Sequence, residues 1–230
     1  SSHSAVCPDE GAEIANLLFE LGVPLNGVDL DSGEFVPMDT LSRYRAVIWN
    51  CGISYARNWT LSDSEEANIA RYLDAGGKFL LFAQDYLWDR YRDSVAFHSG
   101  SFPHDYLGVS RVMQDVATVS DTGGRFVGYE VASGLRYGVR NPFGRRWALY
   151  PDDIVGTLGD TLLVLDLDTV RFNVGITYQR RAFKSAFVTV SPFSLSERDS
   201  STEAFLRRIL YDYFAIDVVE TVETLCMTYH

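Results

Sequence analysis

The sequence predicts an α/β fold with a flavodoxin-like, mostly parallel sheet between two layers of helices. Three observations carry this prediction. Residues 46–50 and 78–83 are apolar runs of the length expected for buried strands. Between them, residues 60–75 show helical spacing of apolar side chains and end at Gly76-Gly77. Two buried strands joined by one helix form a right-handed crossover in a parallel sheet.

The helix of this unit carries clear start and stop signals. Ser62 and Glu65 have the spacing of a capping box, in which each side chain bonds to the backbone of the other residue. Ile69 and Leu73 fall on one face, which predicts the buried side. Gly76 can adopt the left-handed conformation that ends a helix.

The remaining elements are predicted from the same patterns. Helical spacing predicts a first helix over 10–21, a short helix over 101–108 that Ser101 caps and Gly108 closes, and a last helix over 202–213 that Thr202 caps. Apolar runs predict strands over 28–30, 161–167, 172–178 and 186–190. The glycine-rich residues 110–150 predict an irregular insert of loops and short β segments on the core domain.

The start of the chain lacks a feature of this fold class. In a doubly wound sheet a central strand normally precedes the first helix, but residues 1–6 are poor strand formers. Either the first strand is missing from this chain or another segment fills its place. Residues 221–225 alternate as a strand does, so we expect a domain over 1–217 and a strand-like tail over 218–230. The tail would pair with a sheet edge, in its own chain or a neighbouring one; the alternative is a linker.

Bulk composition excludes several classes of function. The 230 residues are 47% hydrophobic, which is enough for one large α/β domain or two small ones. A net charge of −11 would repel a phosphate backbone, so we predict no nucleic-acid partner. No apolar run approaches the roughly 20 residues that cross a bilayer. The one local basic cluster is interpreted as a loop that pairs with carboxylates; it comprises Arg140, Arg145 and Arg146.

Cysteine usage predicts neither a disulfide scaffold nor a metal site. Only Cys7, Cys51 and Cys226 are present, and no pair has the spacing of zinc ligands. The aspartates at 152, 153, 166 and 168 do not match a calcium-binding loop. We therefore predict no metal and no cofactor.

Several motifs together resemble a known superfamily. They are Tyr-Arg-Ala-Val-Ile-Trp at 44–49, Thr-Leu-Ser at 60–62, Ile-Ala-Arg-Tyr-Leu-Asp-Ala-Gly-Gly-Lys at 69–78 and Phe-Ala-Gln-Asp at 82–85. This pattern is similar to the class I glutamine-amidotransferase-like superfamily, and more closely to its divergent members that are accessory domains of large secreted bacterial proteins. Residues 102–108 resemble their Phe-x-x-x-Tyr-Leu-Gly helix, and residues 185–192 with the following helix resemble their closing strand and helix.

The resemblance implies a scaffold without its usual chemistry. Catalytic members place a cysteine on a sharp turn after a central strand, with a histidine and an acid nearby. The matching turn here is Ala83-Gln84-Asp85, so Gln84 stands at the nucleophile position. An amide is neither a nucleophile nor a base at neutral pH. We therefore expect a pseudoenzyme, an extracytoplasmic or secreted binding and assembly domain whose partners are proteins or further copies of itself.

Two alternatives remain open from the residues. Cys51 follows a strand end, where open α/β sheets place their chemistry, so it is the candidate for a thiol-dependent hydrolase or redox enzyme. Asn50, Gln84 and Asp85 are candidates for a small-molecule or glycan pocket at the carboxyl edge of the sheet. Further weak catalytic candidates are His98 and His104, and Asn58 begins a formal glycosylation sequon.

Overall fold

The computed structural model describes residues 10–30, 35–52, 60–92, 95–118, 123–141, 149–196, 200–216 and 224–229. The α-helices are α1 (Glu10–Glu20), α2 (Met38–Leu41), α3 (Asp63–Asp74), α4 (Tyr86–Tyr91), α5 (Phe102–Tyr106) and α6 (Thr202–Arg207). The strands are β1 (Leu25–Leu30), β2 (Ala46–Gly52), β3 (Lys78–Ala83), β4 (Val109–Met113), β5 (Arg125–Gly128), β6 (Arg136–Val139), β7 (Asp153–Thr157), β8 (Asp160–Asp166), β9 (Arg171–Arg180), β10 (Phe183–Val188), β11 (Leu195–Ser196) and β12 (Thr224–Tyr229).

Ten strands form one mixed sheet in the order β1-β12-β2-β3-β10-β9-β8-β5-β6-β11. The first five of these are parallel to one another, as the fold prediction requires. From β10 onward each neighbouring pair is antiparallel. The predicted α/β class is confirmed, and the parallel strands make up half of the sheet. In the other half, β9 is antiparallel to β10 and β8 is antiparallel to β9. Part of the predicted insert, β5 and β6, extends this antiparallel half rather than lying outside the sheet.

The tail forms a strand inside the sheet, where the sequence predicted pairing at an edge. β12 is parallel to both of its neighbours, with Met227 opposite Val28 of β1 and opposite Trp49 of β2. An interior position satisfies backbone hydrogen bonds on both sides of a strand, whereas an edge satisfies one side only. β12 therefore occupies an interior position of the sheet, between β1 and β2. Residues 218–223 of the predicted tail lie outside the described residues.

Alternating side chains of the sheet divide the core into two layers. In β3, Leu80 and Phe82 belong to the cluster that includes α1 and α6, whereas Phe79 and Leu81 belong to the cluster that includes α3, α4 and α5. This is the period-2 arrangement of a strand buried on both faces. The short sheet of β4 and β7 covers the second layer through Val109, Val112 and Ile154.

The helix signals read from the sequence are largely confirmed. Ser62 and Glu65 form both bonds of the capping box at the start of α3. Gly76 has a φ of 96°, and a Cβ on Gly77 would lie 2.3 Å from the Tyr72 ring, so both positions after this helix require glycine. Two caps differ from the prediction. Ser101 precedes α5 but makes no side-chain capping bond, and at α6 Ser201, not Thr202, accepts the hydrogen bond from Ala204.

Candidate functional site

Three parallel strands end at the same edge of the sheet, and polar residues follow each end. Asn50 lies in the last part of β2. Gln84 and Asp85 follow β3, and Thr189 and Ser191 follow β10. All five side chains are buried. The carboxyl ends of parallel strands are where open α/β sheets bind ligands, so this edge is the candidate site.

Glu10, the first residue of α1, holds one half of this edge together. Its Oε2 accepts a hydrogen bond of 2.8 Å from Asn50 Nδ2, and its Oε1 accepts one of 2.6 Å from Ser191 Oγ. Burial raises the pKa of the Glu10 carboxyl above its ordinary value, and the hydrogen bonds from Ser191 and Asn50 oppose the rise. The helix start, the end of β2 and the loop after β10 are thus joined through one side chain.

The bend after β3 holds a buried amide. The Gln84 backbone N–H donates to the Gly52 carbonyl at 3.3 Å, and its Nε2 donates to Asp85 Oδ2 at 3.3 Å. Within the described part of the chain, Gln84 Oε1 has no hydrogen-bond partner. Gln84 is also absent from the described non-glycine residues with left-handed φ, so its backbone lacks the strain of a nucleophile elbow.

A second buried oxygen without a described hydrogen-bond partner, on Asp152, belongs to the same part of the carboxyl edge as Gln84. The backbone N–H of Asp115 donates to Asp152 Oδ1 at 3.1 Å, whereas Asp152 Oδ2 has no partner among the described residues. The Asp152 carbonyl accepts from Thr189 Oγ1 at 2.8 Å, which fixes this residue beside the end of β10. Burial raises the pKa of the Asp152 carboxyl well above its ordinary value, and the charge of Asp85 adds to the rise.

Asp85 combines burial with neighbouring negative charge. Burial raises the pKa of its carboxyl to about 7, the hydrogen bond from Gln84 opposes the rise, and the charges of Asp115 and Asp89 add to it. A carboxyl with this pKa exchanges its proton near neutral pH. Such a group can act as an acid or a base, but the same shift arises wherever a carboxyl is buried without a cation.

Cys51 lies at this edge as a buried, free thiol. Burial raises the pKa of the thiol well above its ordinary value, and the charges of Glu65, Asp89 and Glu10 raise it further. The thiolate is the nucleophilic form of cysteine, so this environment is the reverse of one that activates a thiol.

The two histidines lie away from this edge. His104 Nδ1 contacts Asp105 Oδ1 at 2.7 Å on α5. The adjacent Tyr106 carbonyl accepts from Ser185, which is paired with Phe79 near the start of β3, so α5 lies toward the amino end of the strands. His98 is exposed on a loop. Neither histidine is next to Gln84 or Cys51 in a catalytic arrangement.

The sequence placed Asn50, Gln84 and Asp85 at one edge, and the structure puts them there in two hydrogen-bonded groups. That they bind a ligand stays a prediction. Sequence reasoning did not predict that Glu10, Ser191 and Asp152 lie at this edge. A polar residue next to a helix or strand gives no local signal of which distant residue it will contact. Asn58, Cys7, Arg145 and Arg146 lie outside the described residues, as does the side chain of Cys226.

Within the residues that the structure describes, no three His, Cys, Asp or Glu side chains are grouped to hold a metal ion. None of the described helices is long and apolar enough to span a bilayer.

Comparison with solved structures places this architecture in a class. The chain matches Gan42B, a GH42 β-galactosidase from G. stearothermophilus, with a TM-score of 0.61 and 12% identity over 95% of this chain and 28% of that chain. It matches the mmIFT52 N-terminal domain with a TM-score of 0.54 and 12% identity over 91% of this chain and 92% of that one. A ThuA-like protein of Bacteroides uniformis gives a TM-score of 0.52 and 12% identity over 96% and 89%.

No protein-family model and no curated protein matches the chain. Identities this low show the fold alone. The chain has a glutamine-amidotransferase-like α/β fold, and it spans less than a third of the β-galactosidase that it matches. Similar folds therefore occur both as a part of a larger chain and as most of a shorter one.

Proposed function

We propose that this chain is a non-enzymatic binding and assembly domain, a pseudoenzyme of the glutamine-amidotransferase-like class that acts in an extracytoplasmic protein. The observation that carries the proposal is Gln84. It occupies the bend where catalytic members of the class keep cysteine, it is buried, and its backbone is not strained. A buried amide at that position supplies no nucleophile.

The state of Cys51 supports the same proposal over a thiol enzyme. A thiol that is 2% exposed and surrounded by three acidic side chains is present as the neutral form at neutral pH. It also has no described histidine beside it to serve as a base. The sulfur packs in the core layer with Trp49 and Leu87, which is a structural role.

A candidate surface for assembly is the outer face of the β4–β7 sheet. Met113 on β4 and Val155 on β7 are 53% and 44% exposed, while Val109, Val112 and Ile154 point into the core. Leu158, at the end of β7, is 49% exposed. Apolar side chains grouped on one short sheet are suited to contact with a second copy of the chain.

The experiment measures the mass of the purified protein by light scattering over a range of concentrations. We expect the wild-type chain to exceed the monomer mass and Met113→Glu to shift it toward the monomer. Phe19→Glu is the matched control, because Phe19 is 80% exposed on α1 in the opposite layer. A wild-type chain that stays monomeric throughout, or equal loss from both substitutions, would contradict assembly through this face.

A second candidate function is binding of a small molecule or glycan at the carboxyl edge. It is favoured by two buried oxygens with no described partner, Gln84 Oε1 and Asp152 Oδ2. The Gln84 amide oxygen is a hydrogen-bond acceptor, and the Asp152 oxygen is one whenever its carboxyl is ionised. An unpaired buried acceptor is costly. A ligand that brings O–H or N–H donors, as a sugar does, would satisfy them.

Gln84→Met tests this candidate because it removes the amide while keeping the length of the side chain. If the edge binds sugars, the substitution abolishes the rise in melting temperature that a panel of monosaccharides gives to the wild-type protein. Gln179→Met, at an exposed position on β9, is the control. No rise with any sugar in the wild-type protein would count against the candidate.

A further inference from the structure

Strand register brings three arginines together on the outer face of the antiparallel half of the sheet. Arg125 of β5 is opposite Asp166 of β8, which is opposite Arg171 of β9. Two residues along β5, Val127 is opposite Arg136 of β6. Directly opposed side chains share a face of a sheet. The intervening residues Phe126, Tyr137 and Leu165 are buried in the core, so the arginines point outward.

These side chains line an open surface cavity of about 190 Å³. It is lined by Arg125, Val127, Tyr129, Arg136, Asp166 and Arg171. Three cationic groups and one carboxylate give the lining an excess of two positive charges. In a chain whose net charge is −11, such a local excess is a distinct electrostatic feature.

Asp166 holds two of the arginines while leaving most of their donors free. Its Oδ2 accepts a hydrogen bond from Arg125 at 3.2 Å and forms an ion pair with the Arg171 guanidinium at 3.3 Å, and its Oδ1 accepts from the Asp168 backbone N–H at 3.0 Å. Burial opposes ionisation, but the hydrogen bonds from Arg125 and Asp168, together with the charges of Arg171 and Arg125, hold the pKa of the Asp166 carboxyl below its ordinary value. The carboxylate is therefore ionised at neutral pH and keeps both arginines paired.

Among the described residues, the Arg136 guanidinium has no partner in an ion pair or a side-chain hydrogen bond. The backbone of Arg136 pairs with Val127 in the sheet, and its N–H donates to Ser200 Oγ at 3.1 Å. A guanidinium carries five N–H donors in a planar fork that matches a carboxylate, sulfate or phosphate group. Because Asp166 already positions Arg125 and Arg171, a ligand would have few side chains to order.

We propose that this cavity, here called the arginine pocket, is a binding site for an oxyanion group of a small ligand, with Arg136 as its principal contact. The half-exposed Tyr129 and Val127 provide apolar surface beside the charged groups. The ligand is thus a carboxylate, sulfate or phosphate carried on a small organic body, such as an acidic sugar unit. This site is separate from the carboxyl edge and does not depend on the proposed assembly.

The test is calorimetric titration of the purified chain with sodium glucuronate, sodium sulfate and sodium phosphate at low ionic strength. We expect at least one of the three to bind with a dissociation constant of about 1 mM. The three probes separate a planar carboxylate from a tetrahedral anion. Arg136→Ala should weaken the binding about tenfold or more, since it removes a charged hydrogen-bond donor.

Arg71→Ala is the matched control, because Arg71 is exposed on α3 and its loss changes the net charge equally. It should leave the affinity unchanged. Arg136→Lys keeps the charge without the planar fork and should bind more weakly than wild type, which guards against misfolding of the alanine variant. Absence of binding to all three probes, or equal weakening by Arg71→Ala, would overturn the proposal.

Discussion

Asp85 makes the stability of this protein depend on pH. Its pKa is about 7 in the folded chain against 3.8 for an ordinary aspartate, because it is buried beside Asp115 and Asp89. A carboxyl whose pKa is raised by folding stabilises the fold below its unfolded pKa, and this contribution is lost as the pH rises through the folded value. The window therefore runs from about pH 4 to about pH 7.

Replacing Asp85 with asparagine should remove the part of this pH dependence that Asp85 contributes. At 1.36 kcal/mol for each pH unit, the interval between 3.8 and about 7 corresponds to at most about 4 kcal/mol. We expect Asp85→Asn to gain stability relative to wild type as the pH rises from 4 to 8, measured by urea unfolding. Asp39→Asn, at an exposed position, should show no such gain. Parallel curves for wild type and Asp85→Asn would show that Asp85 ionises freely in the folded protein.

At the scale of elements, the position of β12 is the feature that the sequence predicted least well. Alternation at 221–225 indicated a strand, but alternation cannot say which neighbours the strand will have. The position of β12 is set by the backbone groups of β1 and β2 with which it pairs, and both strands are distant from the tail in sequence. β1 has no other partner among the described strands, so its attachment to the sheet depends on β12.

The side chain of Met227 tests this placement. It is fully buried in the same core layer as Trp49 and Leu81. Met227→Ala should lower the free energy of unfolding by about 2–5 kcal/mol, because it removes buried methylene groups and leaves a cavity. Phe19→Ala truncates a side chain that is 80% exposed and lies outside the proposed assembly face, so it should cost within about 0.5 kcal/mol. Equal small losses at both positions would contradict an interior β12.

Elements with local signals were predicted closely. The capping box of Ser62 and Glu65 and the glycine after α3 are decided within a few residues, so their sequence is sufficient. The antiparallel half was predicted only as separate strands and an irregular insert. Its order depends on pairing between strands such as β5 and β8, which are separated by more than thirty residues.

The candidate site shows the same limit. Asn50, Gln84 and Asp85 were located because each follows a predicted strand, and the strand ends share an edge. Glu10 and Ser191, which complete the hydrogen bonds around Asn50, lie 40 and 141 residues away from it along the chain. The arginine pocket was not predicted either, since its three arginines are on different strands. The cluster noticed in the sequence, at 140–146, is a different one.

At the scale of the whole molecule, the charges are arranged in separate regions. Buried carboxyl groups gather at the carboxyl edge of the parallel strands, where Glu10, Asp85 and Asp152 all have raised pKa values through burial. The arginines gather on the outer face of the antiparallel strands. The parallel half thus carries the buried acidic groups, and the antiparallel half carries the proposed arginine pocket.

We infer that the described residues at the carboxyl edge of this sheet include no reactive nucleophile. The most direct test of this inference is alkylation of the folded protein with iodoacetamide, followed by peptide mapping of Cys51. We expect Cys51 to stay unmodified in the native protein and to react fully once the chain is unfolded in urea. The opposite result would be rapid alkylation of Cys51 in the folded protein, at a rate that increases with pH and rises at a lower pH than for an ordinary thiol. This result would contradict the inference.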